Sequence, residues 1–260
     1  MKALKRFGQN FLVDKNILNL IITRADLKSS DCVLEIGPGH GVLTRELLAH
    51  GISYLHAIEL DERLHASLDE FALNMKDNFA LHWGDAVKFD YDTLNPFPNK
   101  LVANIPYNIT TPLIWNLLKY ASNGLRSYLL MLQKEAALRL TAKPDTKERY
   151  PLGIAIEAMG HATIIHHVSR TCFKPVPKVD SAIVEIVIEK NFELSGNLLW
   201  KDLLHSGFAH RRKTLINNLR GFHEIQNLDL GEFANKRAED LTCRDWLKIY
   251  HDLTKIKFLV

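Results

Sequence analysis

Five short apolar runs, spaced by longer stretches of helical periodicity, constrain this chain more than any other feature. They are "CVLEIG" (32–37), "YLHAIEL" (54–60), "FALHWG" (79–84), "KLVANI" (100–105) and "SYLLML" (127–132), and each reads as a buried strand. One helical segment starts at Asp61 and carries Leu64, Leu68 and Phe71 on one face. Another starts at Thr111-Pro112, a cap followed by proline at the first helical position, and runs to near Gly124. Strand–helix alternation predicts βαβ units and an α/β fold, a parallel sheet covered on both faces. The pattern changes near residue 180. "SAIVEIVIE" (181–189) alternates apolar and acidic residues, as an edge or antiparallel strand would, and follows a β-like run, "TIIHHVS" (163–169). Beyond 190 only helical patterns remain, which predicts two domains, 1–189 and 190–260.

Several function classes drop out. No apolar stretch approaches the roughly 18 residues a membrane span needs. The basic start "MKALKRFGQNFLVDKNIL" lacks the apolar core of a secretory signal, so a cytoplasmic protein that does not enter membranes is expected. Cys32, Cys172 and Cys243 lie far apart, without metal-ligand or disulfide spacing. No H-E-x-x-H occurs, and His166-His167 sits in an apolar run that reads as strand, so no metal site is expected. The net charge of +3 is weak as a nucleic-acid signal, but it falls wholly in residues 190–260, with 12 Lys and Arg against 9 Asp and Glu. Further clusters stand at Lys2, Lys5 and Arg6, and over Lys134, Arg139, Lys143, Lys147 and Arg149. Local patches of this kind bind phosphate even where total charge is near zero.

The strand ends carry the chemistry. "LEIGPGHG" places Gly37, Gly39 and Gly41 after the first strand and before a helix, a turn that lets a ligand approach the backbone. The second strand ends at Glu59, whose carboxylate can accept both hydroxyls of a ribose. The third ends at Gly84-Asp85, within reach of an adenine amino group. A nicotinamide dinucleotide or S-adenosyl-L-methionine (SAM) would satisfy these three tips.

The fourth strand separates them. It stops at Asn104-Ile105-Pro106-Tyr107, for which a dehydrogenase has no evident use. An enzyme that methylates a planar amine does have one. The exocyclic amine of adenine is a poor nucleophile because its lone pair is delocalised into the ring. The Asn104 side-chain oxygen can accept one of its N–H groups and the Ile105 carbonyl the other, with Pro106 stiffening the turn. That pulls the nitrogen toward tetrahedral geometry by preorganised electrostatics. Tyr107 offers a face for the base, worth roughly 1–3 kcal/mol of stacking. A base must be flipped out to reach such a site. "CFKPVPKVDSAIV" (172–184) supplies a candidate second aromatic, Phe173, with Lys174 and Lys178 for phosphates; the alternative is a loop aromatic folded onto the core.

These motifs resemble one family along almost the whole chain. "FGQNFLVD" (7–14), "LEIGPGHGVLT" (34–44), "IELD" (58–61), "GDAVKFD" (84–90), "NIPYNI" (104–109), "QKE" (133–135), "FKPVPKVDSA" (173–182) and "FAHRRKTLINNL" (208–219) are similar to those of the ribosomal small-subunit RNA adenine N6,N6-dimethyltransferases. The resemblance implies a Rossmann-like SAM-dependent methyltransferase fold: a mostly parallel seven-stranded sheet with helices on both faces, plus a small C-terminal all-helical domain. It implies dimethylation of two adjacent adenines near the 3′ end of 16S rRNA in the immature small ribosomal subunit. Nothing in the sequence demands more than a monomer. The resemblance also implies cofactor contacts at Asn10, Leu12, Gly37, Glu59, Asp85 and Asn104. Arg211, Arg212 and Lys213 would grip RNA phosphates. Two departures matter. Ile105 stands where small-subunit enzymes usually have leucine, as in the macrolide-resistance methylases of large-subunit RNA. "ERYPLGIAIEA" (148–158) replaces a glycine-rich helix entry. The alternatives are a large-subunit rRNA adenine methylase of the macrolide-resistance type, an assembly factor acting by binding rather than catalysis, and a NAD-dependent oxidoreductase.

Overall fold

The computed structural model describes residues 10–75, 77–222 and 228–257, with the backbone alone at 66, 67, 74, 256 and 257. Lys2, Lys5, Arg6 and the first three residues of the "FGQNFLVD" motif lie outside the described residues. The chain divides into two compact units. One takes the chain up to Ala137 together with Thr163–Val187; the other takes Leu138–Ala162 and Ile188–Val260.

The first unit is built on a seven-stranded sheet. The short β1 (Phe11–Leu12) and α1 (Lys15–Arg24) come first, then β2 (Cys32–Ile36), α2 (Val42–Ala49), β3 (Tyr54–Glu59), α3 (His65–Asn74) and β4 (Phe79–Trp83). They are followed by β5 (Lys100–Asn104), α4 (Thr110–Leu118), β6 (Ser127–Gln133) and α5 (Lys134–Thr141) and, after α6 (Pro151–Met159), which belongs to the second unit, by β7 (Gly160–Val168), β8 (Phe173–Lys174) and β9 (Ser181–Ile188). The order across the sheet is β4-β3-β2-β5-β6-β9-β7. The five strands expected from the apolar runs are parallel neighbours, and β9 runs antiparallel to β6. Alternate residues serve opposite faces. Val33, Leu55, Ala57, Val102 and Leu129 pack with Ile17, Ile21, Leu43 and Leu47 of α1 and α2. On the other face the Tyr128 hydroxyl reaches the Leu117 carbonyl of α4 at 3.3 Å.

β9 is antiparallel, one of the two arrangements its alternation allowed, and lies inside the sheet between β6 and β7, which forms the edge; its one acidic position, Glu185, is half-buried. One local expectation changes. The helix expected to be capped by Thr111 begins at Thr110 and ends at Leu118. The Ile109 N–H donates to the Pro106 carbonyl, so the turn at Pro106 winds straight into α4. Pro112 then falls in the first turn, where its missing N–H costs no helix bond.

The second unit is helical, with α6, α7 (Leu198–Gly207), α8 (Leu215–Leu219) and α9 (Cys243–Lys257) around the buried Trp200 and Trp246. Close approach depends on two glycines. A Cβ at Gly153 would stand 2.5 Å from the Arg139 carbonyl oxygen, and one at Gly207 would stand 2.3 Å from Trp246 Cη2.

Candidate active site

Strand order reverses beside β2. The chain runs outward through β3 to β4, then returns to lay β5 on the opposite side of β2. Open α/β sheets bind ligands in the crevice at the carboxyl ends of such strands. Here that crevice is a cavity of about 250 Å³, walled by the four strand tips and by Asn10, Phe11 and Leu12.

The glycine loop leaves β2 with the Gly37 N–H donating to the Ile58 carbonyl at 2.9 Å, which ties it to β3. Gly39 has φ +60°, and a Cβ there would stand 2.9 Å from Phe11 Cε1, so conformation and space both demand glycine. Glu59 is buried under the loop. Its Oε2 accepts the Gly39 N–H at 3.1 Å, and its Oε1 accepts those of Leu60 and Asp61 at 2.9 and 2.8 Å. Burial raises the Glu59 carboxyl above its usual range, and those three N–H donors pull against it. Asp85 Oδ1 accepts the Val87 N–H at 2.9 Å, fixing the turn after β4.

At the tip of β5, Asn104 Nδ2 donates to the Asn10 carbonyl at 3.2 Å. A carbonyl accepts only from the NH₂ end of an amide, so this contact assigns the side chain's orientation. The Ile105 N–H donates to the Met131 carbonyl at 3.2 Å, anchoring the tip to β6. Among the described residues no donor reaches the Ile105 carbonyl. Tyr107 is half-buried, and its hydroxyl meets Ser181 Oγ at 2.7 Å. Burial raises its phenol, which stays protonated at neutral pH. Asn104, Ile105, Pro106 and Tyr107 all line the cavity, as do Asn10, Leu12, Gly37, Glu59 and Asp85.

The N-terminal flap is held from outside. β1 pairs antiparallel with β8, Leu12 opposite Phe173 and Phe11 opposite Lys174. The Val13 N–H donates to the Cys172 carbonyl at 2.9 Å. Phe173 is therefore fully buried, among the core residues beneath this ribbon, and does not line the cavity. Of the two readings open for it, the structure takes the aromatic folded onto the core. Lys174 and Lys178 are exposed.

Within the second unit the basic run splits. Arg211 donates to the Lys147 carbonyl and its Nε lies 3.8 Å from Glu239, so it braces a loop. Arg212 and Lys213 are exposed, with no side-chain partner among the described residues. Arg149, grouped above with a surface cluster, is buried and bonds Glu157 Oε2 at 2.6 Å and the Ala142 carbonyl at 2.7 Å. No group of three or more His, Cys, Asp and Glu among the described residues could hold a metal.

One cavity residue had no assigned role. Glu35, on β2, is 1% exposed, and its Oε2 has no hydrogen-bond partner. Burial pushes its carboxyl up to about 8; the Thr44 hydroxyl beside it pulls down, and the charge of Glu59 adds to the rise. Its signal in the sequence is a lone acid within the apolar "CVLEI".

This sheet order, with a glycine turn and a buried carboxylate beside an amide–proline–aromatic tip, is that of the Rossmann-like methyltransferases. The chain belongs to the ribosomal RNA adenine dimethylase family, whose profile matches residues 1–255. It is 40% identical over 258 residues to a ribosomal RNA small subunit methyltransferase A of Prochlorococcus marinus, covering 93% of this chain and 88% of that protein. A protein of the same name from Rubrobacter xylanophilus is 37% identical over 254 residues, covering 96% and 95%. Among solved structures, a dimethyladenosine transferase from Plasmodium falciparum aligns with TM-score 0.80 at 31% identity, over 94% of this chain and 98% of that one. The 23S rRNA methyltransferase ErmE shares the fold, with TM-score 0.64 at 24% identity over 94% and 100%.

Proposed function

We propose that this methyltransferase uses SAM to dimethylate the N6 amines of two adjacent adenines near the 3′ end of 16S rRNA in the immature small subunit. The residues present fit that cofactor. The cavity offers buried carboxylates to a cationic ligand, one of them with an orphaned oxygen, and a glycine cradle that a Cβ would fill. When bound, the cofactor supplies a methyl group on a positively charged sulfur. Everything else falls to the chain's own groups.

One observation carries the reading. The Asn104 NH₂ is taken by the Asn10 carbonyl, so its Oδ1 is left as the acceptor, next to an Ile105 carbonyl that no described donor occupies. Two acceptors side by side suit an amine with two N–H groups. They hold it in place and stabilise the charge that develops on nitrogen during transfer. Tyr107, its hydroxyl pinned by Ser181, serves as the platform for the base. Phe173 enters this reading only as the packed residue that anchors β8. Arg212, Lys213, Lys174 and Lys178 are exposed cations that meet phosphates in this reading, and the helical segment from about 190 is the part that docks on the ribosome. The enzyme works as a cytoplasmic monomer; among the described residues no helix is long and apolar enough to cross a membrane.

The relatives named above carry the small-subunit name, which favours that substrate over large-subunit RNA despite Ile105. The test is methyl transfer from labelled SAM to small subunits lacking the modification and to protein-free large-subunit RNA, with Asn104→Ala alongside. Label on small-subunit adenines, lost in the variant, is expected. Label on the large-subunit RNA alone overturns the substrate assignment. Tight subunit binding without label overturns the catalytic one and leaves an assembly factor.

A further inference from the structure

The cavity has an unusual charge balance. Three acids line it, Glu35, Glu59 and Asp85, and among the described lining residues there is no lysine or arginine. Two of the three are buried on neighbouring strands, Glu35 opposite Ala57 and Glu59 two residues further along β3, and like charges so placed do not both ionise readily. Their surroundings decide which holds the proton. Glu59 accepts three backbone N–H groups, which favour its charged form. Glu35 accepts no backbone N–H among the described residues, its Oε2 has no partner, and only the Thr44 hydroxyl beside it favours the charged form. The proton therefore belongs on Glu35, consistent with a carboxyl pushed up to about 8.

We propose that Glu35 makes cofactor binding proton-linked: it is neutral in the empty cavity, releases its proton to solvent when the cationic cofactor enters, and so lets the site hold cofactor more tightly than product. The balance is simple. SAM carries a sulfonium, an ammonium and a carboxylate, net one positive charge. Its demethylated product, S-adenosylhomocysteine, is a net-neutral zwitterion. A proton leaving as a cation enters keeps the charge of the cavity constant. Entry of the neutral product gives Glu35 no cause to ionise. After transfer the carboxylate takes a proton back and the product is released more easily. The proposal rests on SAM being the cofactor.

Other groups that could titrate nearby are few. Glu59 on β3, Asp85 beyond β4 and His40 in the glycine loop share the cavity. Of the charged groups on the covering helices, Lys15 and Arg24 on α1 and Arg45 on α2 are exposed; Glu46 on α2 and the α1 cap Asp14 are half-buried and do not line the cavity. β5 offers the uncharged Asn104 to the cavity, and β1 contributes no charge.

Calorimetric titration of each ligand at pH 7, in buffers of different ionisation enthalpy, counts the protons released. Close to one proton is expected to leave with SAM and almost none with S-adenosylhomocysteine. Between pH 6 and 7, below the ligand's own α-amino group at about 7.7–8.0, SAM affinity should rise roughly tenfold per pH unit, and product affinity should stay flat. Glu35→Gln mimics the neutral acid, so it should fold, lose the proton release and the pH slope, and bind SAM more weakly with product affinity little changed. SAM binding by the wild type with no proton released overturns the proposal without any variant. The same release from Glu35→Gln overturns it too, and assigns the proton to His40, Glu59 or Asp85. No binding of SAM at any pH would instead sink the cofactor reading itself.

Discussion

Replacing Asn104 with alanine tests the strand-tip chemistry most sharply. The substitution deletes the Oδ1 acceptor and the 3.2 Å bond to the Asn10 carbonyl, and leaves the Ile105 carbonyl in place. In the ground state the lost contact is a neutral hydrogen bond, worth about 0.5–1.5 kcal/mol. As the methyl arrives the amine becomes cationic, and the same contact becomes charge-assisted, about 1.5–3 kcal/mol. At 1.36 kcal/mol per decade, kcat/KM for RNA should fall roughly 10- to 150-fold. The ground-state share shows in KM and the remainder in kcat. SAM affinity should stay within about threefold, since the glycine loop, Glu59 and Asp85 are untouched. Stability should drop by about 1 kcal/mol for the lost bond to Asn10. Steady-state kinetics on small subunits, with calorimetry for the cofactor, reads all of these. A variant whose kcat/KM stays within twofold of wild type would refute the acceptor role. A loss of activity matched fold for fold by lost SAM affinity would make Asn104 a cofactor ligand only.

Three further outcomes are expected. The Glu35 carboxyl is raised on folding, so its stabilising effect is full below its ordinary value of about 4.3 and is lost as pH climbs through about 8. Glu35→Gln should therefore raise the melting temperature of ligand-free protein more at pH 8 than at pH 5, with a ceiling of roughly 5 kcal/mol. A gain equal at both pH values would contradict the burial argument. Gly207→Ala puts a Cβ 2.3 Å from Trp246 Cη2, in a core with no space, and should cost about 1–3 kcal/mol in thermal unfolding; an unchanged melt would show the ring yields freely. Arg212→Ala and Lys213→Ala should each lower the salt slope of RNA binding by about one, whereas Arg211→Ala should loosen the 142–150 loop and lower the melting temperature.

Much of the site was legible because its residues break rules for strand ends. A glycine turn, a lone carboxylate and an amide–proline–aromatic cluster each contradict the apolar run before them. Parallel βαβ topology then brings such tips to one edge of the sheet. The flap over the glycine loop came only through family resemblance, because "QNFL" carries no periodicity and its contact with Gly39 spans distant parts of the chain. Other features were hidden for similar reasons. Whether Phe173 faces a ligand or the core depends on β1–β8 pairing between residues 161 apart in sequence at Leu12 and Phe173. Arg149 and Arg211 read as surface cations until Glu157, Glu239 and two loop carbonyls claim them. The interior place of β9 follows from strand order, which alternation does not encode.

The most direct test of the central claim is the chemical identity of the product. Small subunits lacking the modification, incubated with the protein and SAM, would be digested and their nucleosides identified by mass spectrometry, with the modified positions mapped. Two paired acceptors at the tip of β5 predict methylation on the exocyclic N6 amine of adenine, and the proposed function adds that both methyl groups go onto each of two adjacent adenines near the 3′ end of 16S rRNA. Methylation at a ring nitrogen or ring carbon of any base needs no such pair and would contradict the account.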